Sequence, residues 1–123
     1  MINDKKFNLE ERLIDFAVAI IKFVETLPNA KAANHLGGQL LRSGTSPSLN
    51  YGEARSAESQ NDFIHKMKVC LKELRESYIC LRILDRAGIY DSEQQIQSLL
   101  SECNELISIF VKSISTASTK KEG

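Results

Sequence analysis

Apolar residues recur at three- and four-residue spacing over nearly the whole chain, and this periodicity sets what the sequence can fold into. Leu9, Leu13, Phe16, Ile20, Phe23, Val24 and Leu27 fall on one helical face. Further on, Phe63, Met67, Cys70, Leu74, Tyr78, Leu81 and Leu84 form a second face, and Ile96, Leu99, Leu100, Cys103, Leu106, Ile107, Phe110 and Ile114 a third. No stretch alternates with the period of two that a strand requires. Pro28-Asn29, Ala87-Gly88 and Asp91-Ser92 punctuate these runs as stop and start signals. The segment from about 61 to 87 is a helix of roughly 40 Å at 1.5 Å per residue. Rods that long, joined by short loops, lie antiparallel and bury their stripes on one another. The expectation is an all-α, antiparallel up-down four-helix bundle forming a single domain over 1–123, with its core at about 9–115 and a frayed polar tail at 116–123.

The second segment, about 31–59, conforms least. It holds Gly37, Gly38, Gly44, Pro47 and Gly52, and a proline inside a helix costs about 3 kcal/mol relative to alanine. Ala33, Leu36, Leu40, Leu41, Gly44, Pro47, Tyr51 and Ala54 nevertheless keep helical spacing, which predicts a helix bent or interrupted around 43–47.

Composition narrows function by exclusion. With 42% hydrophobic and 26% charged residues the chain is too apolar for disorder. Sixteen basic residues balance sixteen acidic ones, so nucleic-acid binding would need a local patch. MINDKKFNLEER has no apolar signal-peptide core, and no apolar run approaches the roughly 18 residues that span a membrane. Cys70, Cys80 and Cys103 make an odd count without a CxxC pair, which points to reduced thiols and a cytoplasmic protein. There is no P-loop, no HExxH, no zinc spacing and no paired Glu-x-x-His. His35 and His65 read as surface residues, and Cys70 and Cys103 sit on core faces. The expectation is a non-catalytic protein with no metal and no cofactor.

One local patch exists. Lys68, Lys72, Arg75, Arg82 and Arg86 fall on one side of the third helix, with Ile79 at the missing step and no acid in the arc. Five like charges over about 27 Å could track phosphates. The competing reading pairs these cations with Glu102 and Glu105, or with Glu10, Glu11 and Asp15, on neighbouring helices. Apolar residues in excess of one core stripe, namely Ile14, Val18 and Ile21 on helix one and Val69, Cys80, Ile83 and Ala87 on helix three, point to a second partner, most simply a copy of the chain. Arg42, Ser46, Asn50 and Glu53 share the side of helix two away from its leucines, where Arg42 could pair with Glu76 and Glu53 with Arg75. Gly44, Ser48 and Gly52 would let another backbone approach. An enzyme built on Arg42, Asn50 and Glu53 would need a concave pocket around them.

The stretch from Arg42 to Ala54, RSGTSPSLNYGEA, resembles the signature R-S-x-x-S-x-x-x-N-x-x-E-A of the 23S ribosomal-RNA intervening-sequence proteins. The likeness extends to Asp62-Phe63-Ile64-His65-Lys66 and to Glu73-Leu74-Arg75-Glu76, and covers about 16–110; Tyr78-Ile79 stands where an aromatic pair often follows. The resemblance implies an antiparallel four-helix bundle assembled into a ring, typically a homopentamer. Relatives that accompany retroelement reverse transcriptases form similar basic pentamers that bind nucleic acid. On this likeness Arg42, Asn50, Glu53, Glu73 and Glu76 are fold or interface determinants, and the basic stripe is a candidate RNA or DNA surface. The alternative is a protein-interaction ring whose cations are spent between subunits.

Overall fold

The computed structural model describes residues 8–122, which form four helices and no strand. They are α1 (Leu9–Glu25), α2 (Lys31–Arg55), α3 (Gln60–Ala87) and α4 (Glu93–Glu122). Residues 1–7, included in the expected domain, lie outside the described residues.

Three helices start where a polar side chain can satisfy an orphan backbone N–H. Asn8 Oδ1 accepts from the Glu11 amide, Ser59 Oγ from Asp62 and Ser92 Oγ from Gln95, each at 3.1 Å. The last α3 carbonyls are closed by a left-handed Gly88, φ 72°, with Gly88 N–H donating to Asp85 O and Ile89 N–H to Leu84 O. That is a Schellman arrangement, and the positive φ is why glycine stands there.

Consecutive helices run antiparallel, as their cross-contacts show. Glu10 at the start of α1 meets Arg55 at the end of α2. Between α2 and α3 the partners pass from Glu53–Lys66 through Ser43–Ser77 to Leu36–Cys80. Between α3 and α4 they pass from Gln60–Ala117 through Leu74–Cys103 to Asp85–Gln97. α4 also packs back on α1, closing the bundle around Phe16, Phe23, Phe110 and the leucines between them. Tyr51 meets Phe110 edge-on, with ring centroids 6.1 Å apart, a favoured aromatic geometry.

α2 runs unbroken through 43–47 with Pro47 inside it, so the interruption considered above does not occur. Hydroxyls bracket the proline: Thr45 Oγ1 donates to Leu41 O, Ser46 Oγ to Arg42 O and Ser48 Oγ to Thr45 O. Packing on α1 and α3 offsets the poor intrinsic propensity. The tail is a second correction. Helix α4 continues to Glu122, with Ala117 buried and its carbonyl accepting from Gln60 Nε2 at 3.2 Å. Contact with the start of α3 holds a sequence that carries no periodic signal of its own.

The glycines of α2 differ in what surrounds them. A Cβ on Gly44 would stand 2.8 Å from Ile20 Cγ1 and 2.9 Å from Cγ2, whereas a Cβ on Gly38 or Gly52 would meet nothing within 4 Å. Gly44 thus admits Ile20, but nothing approaches Gly52. Gly38→Ala and Gly52→Ala should each raise stability by about 0.5–1 kcal/mol. Gly44→Ala should lower it by about 1–3 kcal/mol, because the β-branched Ile20 cannot swing aside. Urea denaturation of the three variants checks the opposite signs.

Candidate nucleic-acid interface

The third helix buries Ile64, Met67, Cys70, Leu74, Ser77, Cys80, Leu81 and Leu84, and this fixes which way its other residues point. Lys68, Lys72, Arg75, Arg82 and Arg86 all emerge exposed on its outer side, towards α4. None of the five forms an ion pair with any described residue. Arg82 alone has a neighbour of note, its guanidinium carbon 5.9 Å from the Tyr78 ring centroid.

Three of the five acids that could have neutralised them, Glu102, Glu105 and Glu10, are held elsewhere. Arg12 reaches from α1 to α4 and donates to Glu102 (2.8 and 2.9 Å) and to Glu105 (2.6 Å). Its hydrogen bond to Glu102, followed by that to Glu105 and the two charges, outweighs desolvation and raises the guanidinium pKa. Glu10 pairs with Arg55 at 3.0 Å. Arg42 bridges Glu73, at 3.0 Å, and Glu76. That leaves Glu73 and Glu76 of α3 covered on the α2 side, Asp85 facing Gln97 of α4, and the five cations bare.

The remaining interface candidates are partly as expected. Arg42 pairs with Glu76 across the bundle, but Glu53 pairs with Lys66 at 3.1 Å and not with Arg75. Glu53 sits about two and a half turns nearer the α2–α3 loop than a contact with Arg75 would need. Ser46 spends its hydroxyl on its own helix, and the half-buried Asn50 makes no hydrogen bond to a described residue. The depression lined by Glu53 is completed by Ser56, Glu58, Ser59, Asp62 and Lys66, with Arg42 and Asn50 outside it. Ile14, Val18 and Ile21 are exposed at 40–43% on the outer side of α1. Cys80, expected on an outer stripe of α3, is instead buried against α2 and donates to Leu36 O at 3.4 Å. Leu41, which keeps helical spacing with Leu40 and Gly44, is exposed at 39%.

Sequence reading missed three features. Arg12 clamps α4 to α1, which no local pattern announces. Ser43 and Ser77 form a fully buried hydroxyl pair 2.8 Å apart at the α2–α3 seam; the signal was a serine on the core stripe between Leu74 and Leu81. Beside the cations, an open groove of about 540 Å³ lies between α3 and α4, with Leu71, Val111 and Ile114 as its apolar floor and Lys68, Lys72 and Arg75 among its lining.

His35 and His65 are exposed. The thiols are all buried, and each donates to a carbonyl of a neighbouring helix: Cys70 to Pro47, Cys80 to Leu36 and Cys103 to Leu74. Burial pushes Cys70 and Cys103 up to about 12 and Cys80 to about 11, from an ordinary 9.0. A thiol-specific disulfide reagent at pH 8 should therefore leave the native protein unlabelled and label all three after denaturation. Because these folded values lie above the unfolded one, their contribution to stability is complete below pH 9. It should be lost as pH rises from 9 towards 12, when the unfolded chain releases protons first.

No described helix is long and apolar enough to cross a membrane. The sequence model of the family described as 23S rRNA-intervening sequence protein matches residues 5–112. No curated protein matches the chain. Among solved structures, it is similar to a protein of unknown function from the S23 ribosomal protein family of Bacteroides thetaiotaomicron VPI-5482. That likeness has a TM-score of 0.79 at 32% identity, covering 86% of this chain and 97% of that one. With four antiparallel helices and a family match over most of its length, the chain belongs to the 23S rRNA-intervening sequence protein family.

Proposed function

We propose that this protein is a non-catalytic homo-oligomer that binds RNA or DNA through the outer side of α3. One observation carries the reading: Lys68, Lys72, Arg75, Arg82 and Arg86 are exposed, aligned and unpaired, while Glu102, Glu105, Glu73, Glu76 and Glu10 are engaged with Arg12, Arg42 and Arg55. Unneutralised cations in a row repel one another, and a polyanion relieves that repulsion while releasing its own counterions. The exposed aliphatic stripe of α1 supports assembly with further copies. A ring, five-membered on the family resemblance, would repeat the cationic row about its axis and multiply weak contacts.

The test is fluorescence anisotropy with labelled RNA and DNA at two salt concentrations. Binding should weaken steeply with salt, with a logarithmic slope of about −3 to −5 for four to five phosphate contacts. Absence of binding at 50 mM salt would overturn the reading. The protein-interaction ring remains the alternative, and its mark would be loss of assembly when the α3 cations are changed.

A further inference from the structure

We infer, resting on the nucleic-acid reading above, that the ligand is single-stranded: its phosphates follow the α3 cations while unpaired bases settle on the apolar groove between α3 and α4. Two observations separate a single strand from a duplex. The cations follow a nearly straight line along one helix, at axial steps of about 6, 4.5, 10.5 and 6 Å, whereas duplex phosphates wind around a cylinder and leave such a line within a few contacts. The line also borders an apolar floor. Leu71, Val111 and Ile114 lie open beside Lys68, Lys72 and Arg75, and Val111 is 43% exposed. Seven residues on from Leu71, the half-buried Tyr78 stands on the same face of α3 with Arg82 near its ring.

Cations along one edge with apolar and aromatic side chains along the other make the pairing that single-stranded ligands use, since every base has an apolar face. A duplex keeps its base faces stacked inside and presents phosphates, sugars and base edges. Resting on the cations, it would leave the groove wetted and gain nothing from it. A single strand covers the groove with the same groups it unstacks.

The experiment compares a 20-nucleotide single-stranded RNA of mixed sequence with the same strand annealed to its complement. Binding is measured by anisotropy across a salt series with the full chain and with the neutral variants Val111→Ser and Tyr78→Leu. The single strand should bind at least tenfold tighter than the duplex at equal salt. Each variant should weaken single-strand binding threefold or more, with the salt slope and the duplex affinity unchanged. Circular dichroism of both variants checks that the bundle is intact, and Val111→Ser, on an exposed position, carries the test if Tyr78→Leu loosens the fold. A duplex bound as tightly as the single strand, or single-strand affinity unmoved by Val111→Ser, overturns this inference while leaving salt-dependent binding standing. A change in oligomer mass with Val111→Ser also overturns it, because a second copy would then occupy the groove. If neither probe binds at low salt, the parent reading falls with it.

Discussion

Lys72→Glu combined with Arg75→Glu is expected to lower nucleic-acid affinity at least 100-fold at 0.1 M salt, with the helical content unchanged. At that salt each lost phosphate contact costs about five- to eightfold through forfeited counterion release. Two lost contacts therefore account for a factor of about 25–60, and the two introduced negative charges, in the middle of the row, repel the neighbouring phosphates as well. Stability should move little. Both side chains are exposed and free of ion pairs with described residues, so nothing in the fold is left unpartnered. The new acids would stand near Glu73 and Glu76, a like-charge cost of a few tenths of a kcal/mol per pair, or a few degrees in Tm. Anisotropy and thermal melting of the double variant give both numbers. Affinity that survives the reversal removes the row from the binding surface.

The core was legible because it depends on local repetition. A stripe from Leu13 to Phe23 or from Ile96 to Phe110 needs no knowledge of its partner to declare a buried face. The cap at Ser92 and the stop at Gly88 were legible for the same reason, each being settled within one turn of chain. What depended on how the helices meet was less so. Nothing local distinguishes Glu102 as a partner for Arg12 from Glu102 as a partner for an α3 cation; α4 packing against α1 decides it. Cys80 was misplaced for a similar reason: the helical wheel gives it an angle, but how α2 packs on α3 decides that it is covered, beside Leu36. At the tail, aperiodic residues predicted fraying, while a single small side chain, Ala117, is buried where α4 meets the start of α3. The row of cations itself was readable; its lack of partners was not.

Val18→Lys with Ile21→Lys is the second change expected to have a large effect: the assembly should fall to a 13.8 kDa monomer that is still fully helical. Val18 and Ile21 are each 43% exposed, on the side of α1 away from the core, so a lysine there reaches water in the free chain and costs the fold little. In an interface the same lysines would be stripped of water without a partner, at several kcal/mol each. A stable subunit contact covers about 800 Å² per partner, more than Ile14, Val18 and Ile21 supply, so neighbouring exposed residues such as Leu41 would belong to it. Light scattering reads the mass, and an unchanged oligomer would remove the α1 stripe from the contact. The monomer also separates the two functional readings. If α3 holds nucleic acid, the monomer should bind with a smaller salt slope and an affinity lower by at least tenfold, since linked sites raise avidity by factors of about 10²–10⁴. If instead the α3 cations join subunits, the Lys72→Glu and Arg75→Glu reversal would dissociate the ring by itself. The two pairs of substitutions lie on diagonally opposite helices, so a loss of mass from one and a loss of binding from the other assigns each surface its role.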